Sequence, residues 1–77
     1  MNSRCQVIGD VIRELRLQRK MSQEVVSGLA GMARSHLAMI ENGRKNLSID
    51  SLWRIAQALD ICLSELIEKA EKRLPKQ

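Results

Sequence analysis

Apolar side chains return along this chain at intervals of three and four residues, the period of a helix with one buried face. Ile8, Val11, Ile12 and Leu15 mark a first helix over about 6–19. Val26, Leu29 and Ala30 mark a second, and Leu37 with Ile40 a third that should begin near Ala33 or Arg34 and stop at Asn42-Gly43. Leu52, Ile55, Ala56 and Leu59 mark a fourth, and Leu66, Ile67, Ala70 and Leu74 a fifth. The punctuation between them agrees. Ser22, Ser48 and Ser64 each stand where a side-chain oxygen can cap the next helix, and Glu24 puts negative charge in a first turn, where it suits the helix dipole. Gly31 fits the left-handed backbone that ends a helix. Asp60 closes the fourth helix, Arg44-Lys45-Asn46 is a polar loop, and Pro75 lies in a frayed tail over 74–77. The expectation is an all-α chain of five helices, one domain over 1–77 with its helical core at 6–73.

The second and third helices, of about eight residues each, joined by three or four residues at Gly31, have the proportions of a helix-turn-helix. In that unit the second helix enters the DNA major groove. Charge points the same way. Residues 1–46 hold eight Lys/Arg against four acidic residues, whereas 47–77 hold five of each, so the whole net charge of +4 lies with the two-helix unit. Such a footprint suits phosphate, although RNA or a membrane surface would also attract it. Trp53 is the only aromatic residue, which argues against binding single strands or RNA by base stacking. No apolar run approaches a membrane span and no signal-peptide pattern opens the sequence, so a cytoplasmic protein is expected, with no membrane partner. Cys5 and Cys62 are too few and too dispersed for a metal site or disulfide framework, and are expected to be reduced, partly buried thiols. No nucleophile–base pair, carboxylate dyad or phosphate loop is present, so neither enzymatic activity nor a cofactor or metal is expected. At 77 residues the chain buries about 60% of its unfolded surface, a marginal core that dimerisation would help.

Three segments, LRLQRKMSQE (15–24), LAGMARSHLAMIENGRK (29–45) and NLSIDSLWRIAQALDI (46–61) followed by LSEL (63–66), resemble in order and spacing the Xre/Cro-like, phage-repressor type of helix-turn-helix protein. The stretch NGRKNLSIDSL (42–52) is also similar to the small controller proteins of restriction–modification operons. The resemblance covers roughly residues 7–68 and implies a five-helix, lambda-repressor-like DNA-binding domain. It implies that Gln23, opening the second helix, lies against a DNA phosphate, where free N–H groups and the helix dipole favour an anion. It places Arg34, Ser35, His36 and Met39 towards base edges. Arg34 can bond O6 and N7 of guanine together, for roughly 1–3 kcal/mol of discrimination, or else contact a phosphate. His36 is read as a phosphate or sugar contact, or as a solvated residue. Met39 is read against a thymine methyl or as part of the core. Ala33 stands where relatives carry a capping Ser or Thr, which leaves it open to apolar contact and deprives the third helix of about 0.5–2 kcal/mol. Arg44, Lys45 and Asn46 fall where relatives touch the DNA backbone. Arg16 and Glu41 fall where many relatives form a partly buried ion pair.

A single helix-turn-helix reads few base pairs, so useful specificity needs two copies about one helical turn apart. The last two helices carry a surplus of apolar residues, among them Ile49, Trp53 and Leu74, and Ile61, Leu63, Leu66 and Ile67 are the candidate dimer interface. The leading expectation is therefore a sequence-specific transcriptional regulator, a repressor or an activator, that binds a palindromic double-stranded DNA operator as a homodimer. An activator would also touch RNA polymerase. The alternative is an antitoxin-type protein whose main partner is a toxin, with autoregulatory DNA binding secondary.

Overall fold

The computed structural model describes residues 3–44 and 47–74. Five helices follow one another: α1 (Ser3–Gln18), α2 (Gln23–Ala30), α3 (Arg34–Glu41), α4 (Ile49–Ala58) and α5 (Leu63–Glu71). No strand occurs among the described residues. α2 packs on α3 and α4, while α1 packs on α3 and α5, so α4 holds the two-helix unit through α2 and α1 holds it through α3. Val11, Ile12, Leu15, Val26, Leu37, Ile40, Leu52, Ile55, Leu59 and Leu66 fill one continuous core at the centre. Those residues are the periodic positions of the sequence, and their burial is what fixes the helices, since helices this short are marginal alone.

The boundaries follow local chemistry. Ser22 Oγ accepts the Val25 N–H at 3.1 Å, and Ser48 Oγ accepts that of Ser51 at 3.0 Å. Gly31 has φ of +70° and closes α2 with its N–H bonded to Gly28, which is the turn expected of it. The Asp60 backbone is left-handed after α4, as is Lys20 after α1. α1 starts three residues earlier than its apolar spacing predicts.

Four expectations need correction. Leu29 is 65% exposed and does not share the buried face of Val26 and Ala30. Ser27 is buried there instead, its hydroxyl satisfied by the Glu24 carbonyl at 3.1 Å. A small, internally bonded side chain lets α2 lie close to its neighbours, and the core stripe turns away from Leu29. Ser64 lies inside α5 rather than capping it; Cys62 is the N-cap and supplies no side-chain bond. As that cap Cys62 is exposed, not partly buried, whereas Cys5 is half-buried as expected, and no disulfide joins the two. Leu66 is fully buried in the core of one chain, so it is removed from the candidate dimer surface.

At Gly9 the backbone of α1 crosses close to the end of α3. A Cβ there would stand 2.5 Å from the Ile40 carbonyl oxygen and 2.7 Å from that of Glu41. Only glycine lets α1 approach the end of α3 so closely, and this contact sets the tilt of α3 against the body.

Candidate nucleic-acid interface

α3 has one face in the core, through Leu37 and Ile40, and one in solvent. Arg34 and Ser35 are exposed on its first turn, and Met39 is 38% exposed one turn later. Met39 is thus at the surface rather than in the core. His36 is half-buried, between the two faces. Ala33 is the N-cap, exposed and without a side-chain bond, so α3 begins at Arg34 on backbone geometry alone. The His36 and Leu37 N–H groups bond the Ala33 carbonyl at 3.1 and 3.2 Å. Arg44 is exposed just beyond α3, while Lys45 and Asn46 lie outside the described residues.

The first residues of α2 open on the same region. Arg16, Ser22, Gln23, Glu24 and Arg34 line one hollow of about 540 Å³, so the start of α2 and the start of α3 face a common space. The Gln23 and Glu24 backbone N–H groups are the first of their helix and have no intrahelical acceptor, which directs a partial positive charge into it. Glu24 adds a carboxylate to that space and Arg34 a guanidinium.

Behind the hollow lies the ion pair implied by the family resemblance. Arg16 donates from Nε to Glu41 Oε2 at 2.8 Å and from Nη2 to Oε1 at 3.0 Å. The side chains are 10% and 2% exposed, so the pair is desolvated. Nη1 of Arg16 also donates to the Met21 carbonyl at 3.0 Å. Sequence reasoning missed one member: Gln23 Nε2 donates to Glu41 Oε1 at 3.1 Å. These bonds tie the end of α1, the start of α2 and the end of α3 into one polar cluster. No buried side-chain polar atom lacks a partner among the described residues. Three further ion pairs are exposed: Arg54–Asp50 and Lys72–Glu68 one turn apart, and Arg73–Glu14 between the end of α5 and α1. Hydrogen bonding from Arg73 holds the Glu14 carboxyl below the usual carboxylate range, and Arg73 is raised in turn.

A second surface lies away from this hollow. Trp53, Cys62, Leu63, Ser64, Ile67, Glu68 and Glu71 line a mainly apolar groove of about 680 Å³ between α4 and α5. Trp53 is 55% exposed and Ile49, one turn before it on α4, is 64% exposed. Leu63 and Ile67 are half-buried walls of the groove, and Ile61 is half-buried against the core beside it. Among the described residues no cluster of His, Cys, Asp and Glu could hold a metal ion, and no helix is long and apolar enough to cross a membrane.

Comparison with known proteins agrees with this geometry. A helix-turn-helix family pattern matches residues 12–66. The control protein C.MunI from Mycoplasma sp is 35% identical over 65 residues, which is 83% of this chain and 88% of that protein. The restriction-modification controller protein C.AhdI from Aeromonas hydrophila superimposes with a TM-score of 0.82 at 35% identity, covering 84% of this chain and 98% of that one. The controller protein C.Esp1396I, solved as a tetramer in complex with its natural 35 base-pair operator, superimposes with a TM-score of 0.87 at 26% identity over 94% of this chain and 95% of that one. The chain belongs to the Xre-like helix-turn-helix family of DNA-binding transcriptional regulators.

Proposed function

We propose that this regulator binds a palindromic double-stranded DNA operator as a homodimer, each copy placing α3 in the major groove of one half-site. The observation that carries the reading is the shared hollow. α3 presents Arg34 to the hollow that the start of α2 also lines, with Ser35 exposed next to it in sequence, so base edges and an adjacent phosphate can be met together. Arg44, following α3, is placed for the next stretch of backbone. Gln23 is the phosphate ligand of α2, and Ala33 and Met39 offer apolar contact to thymine methyl groups.

The dimer forms through the groove between α4 and α5. Trp53 and Ile49 are large apolar side chains left in solvent by the folded monomer, and Leu63 and Ile67 extend the same surface. Contiguous apolar exposure of this kind marks an interaction site. The balanced charge of residues 47–77 removes repulsion between two copies. Regulation then follows from the protein's own concentration and the arrangement of its operator, in the cytoplasm and without a catalytic step.

Sedimentation at tens of micromolar, combined with duplex binding at several salt concentrations, tests this. Two chains per particle are expected, with a log–log salt slope that is clearly negative. A Trp53→Lys variant should sediment as one chain and bind duplex more weakly. A wild-type monomer, both alone and on DNA, would remove the dimer.

A further inference from the structure

The buried ion pair does more than hold three helices together. We propose that Glu41 is a positioning residue for DNA binding: by accepting one amide hydrogen of Gln23, it holds the other towards a backbone phosphate at the start of α2. The inference rests on the DNA-binding reading above.

An ionised carboxylate has acceptors only, so a glutamine facing it must present its NH₂ group and turn its carbonyl oxygen away. Glu41 Oε1 receives Gln23 Nε2 at 3.1 Å, and that choice of orientation is thereby made before any ligand arrives. Glu41 cannot turn to release it, because both its oxygens are bonded by Arg16 at 2.8 and 3.0 Å. Arg16 is itself anchored by the Met21 carbonyl in the turn before α2. Gln23 is half-buried and lines the hollow, so its second amide hydrogen has no partner among the described residues but has space beside it. The backbone N–H groups of Gln23 and Glu24, free of intrahelical acceptors, belong to the same helix start, and both residues line the hollow.

An unpinned glutamine would lose rotamer freedom on binding, and half of its amide orientations would offer oxygen to a phosphate. This one has already given up that freedom on folding, and preorganisation of this kind strengthens binding without any new contact. The carboxylate of Glu24, also on the hollow, makes correct placement of the donors more important.

If the role is merely structural, Gln23 is a third donor to a buried carboxylate and its loss has nothing to do with DNA. A double-mutant cycle on duplex affinity separates the two. Gln23→Ala should weaken binding roughly tenfold, to any duplex sequence alike, from the loss of a hydrogen bond to a charged group. The salt slope should stay unchanged, because glutamine carries no charge. In an Arg16→Met/Glu41→Leu background, where the anchor is replaced by apolar side chains, the same Gln23→Ala change should weaken binding by no more than about threefold. An equal loss in both backgrounds overturns the positioning role. No loss from Gln23→Ala in the wild type removes the phosphate contact while leaving the DNA-binding reading in place, and failure of the wild type to bind any duplex removes that reading itself.

If the Arg16→Met/Glu41→Leu protein does not fold, the side-chain amide of Gln23 in the wild type gives the answer by NMR. The Nε2 group is expected to relax as rigidly as the backbone before duplex is added, and of its two protons only the one not bonded to Glu41 shifts on binding. A side-chain amide that is mobile by nitrogen relaxation in the free protein contradicts the proposal.

Discussion

Replacing Glu41 by glutamine changes one atom of the polar cluster and should destabilise the whole domain. Two carboxylate oxygens receive three donors, two from Arg16 and one from Gln23. A glutamine has one oxygen, so its NH₂ group must face at least one of those donors with nothing between them. The Arg16 guanidinium, 10% exposed, then stays buried without a counter-charge. Breaking a buried pair from one side costs about 3–5 kcal/mol, against a total stability of roughly 4–12 kcal/mol for a chain of 77 residues. For a domain this small each kcal/mol moves the midpoint by about 4–8 °C, so Tm should fall by at least ~12 °C. Urea unfolding followed by circular dichroism measures the change directly, and an unchanged m-value would show that the transition is still two-state. Replacing both partners, as Arg16→Met/Glu41→Leu, should recover most of the loss, because no charge is then left alone. A loss below ~1 kcal/mol for Glu41→Gln, the value of a solvent-exposed pair, would refute the reasoning.

Gly9→Ala should destabilise by about 1–3 kcal/mol, since its Cβ would stand 2.5 Å from the Ile40 carbonyl and neither helix can give way without leaving the core. Gly28→Ala, in α2 with nothing within 4 Å of the added carbon, should instead stabilise by up to ~1 kcal/mol; parallel urea melts compare the two. Arg34→Ala should relax selectivity at one base position, by roughly 1–3 kcal/mol between the preferred base and others, read by competition with single-substituted duplexes. The Glu14 carboxyl, held low chiefly by its hydrogen bond from Arg73, stabilises the fold above the ordinary carboxylate range, and that contribution disappears as pH falls through its lowered value. Its NMR titration midpoint should therefore rise in Arg73→Ala, and an unmoved midpoint would show that the pair does not form in solution.

The fold was legible wherever local chemistry and packing agree. Ser22 and Ser48 cap the helices they precede, Gly31 makes the left-handed turn, and the periodic positions of α4 and, apart from the half-buried Ile8, of α1 are the core. Legibility failed where packing overrode a local preference. In α2 both Leu29 and Ser27 neighbour the buried stripe, and hydrophobicity favours the leucine; close approach of the helices favours the serine, which sequence periodicity cannot see. At α5 the buried Leu66 fixes the register, so the helix starts at Leu63 and the preferred capping residue Ser64 falls inside it. The same burial takes Leu66 out of the candidate interface, while Trp53 and Ile49 are the large apolar side chains of α4 that the monomer leaves exposed.

The site shows the same division. The family resemblance placed Arg16 opposite Glu41, and the two are bonded. The bond from Gln23 to that pair was invisible, because it joins residues 18 apart through a side-chain orientation that no spacing rule encodes. The hollow shared by Arg34 and Gln23 was equally hidden, since it depends on how α2 and α3 cross.

Selection of bound sequences from a random duplex library, with the purified protein at moderate salt, tests the central claim most directly. The expected result is a two-fold symmetric motif whose half-sites are centred about one helical turn (~34 Å) apart. An absence of any enriched motif would contradict a sequence-specific dimeric regulator and favour an antitoxin-type role, in which a partner protein is the principal ligand.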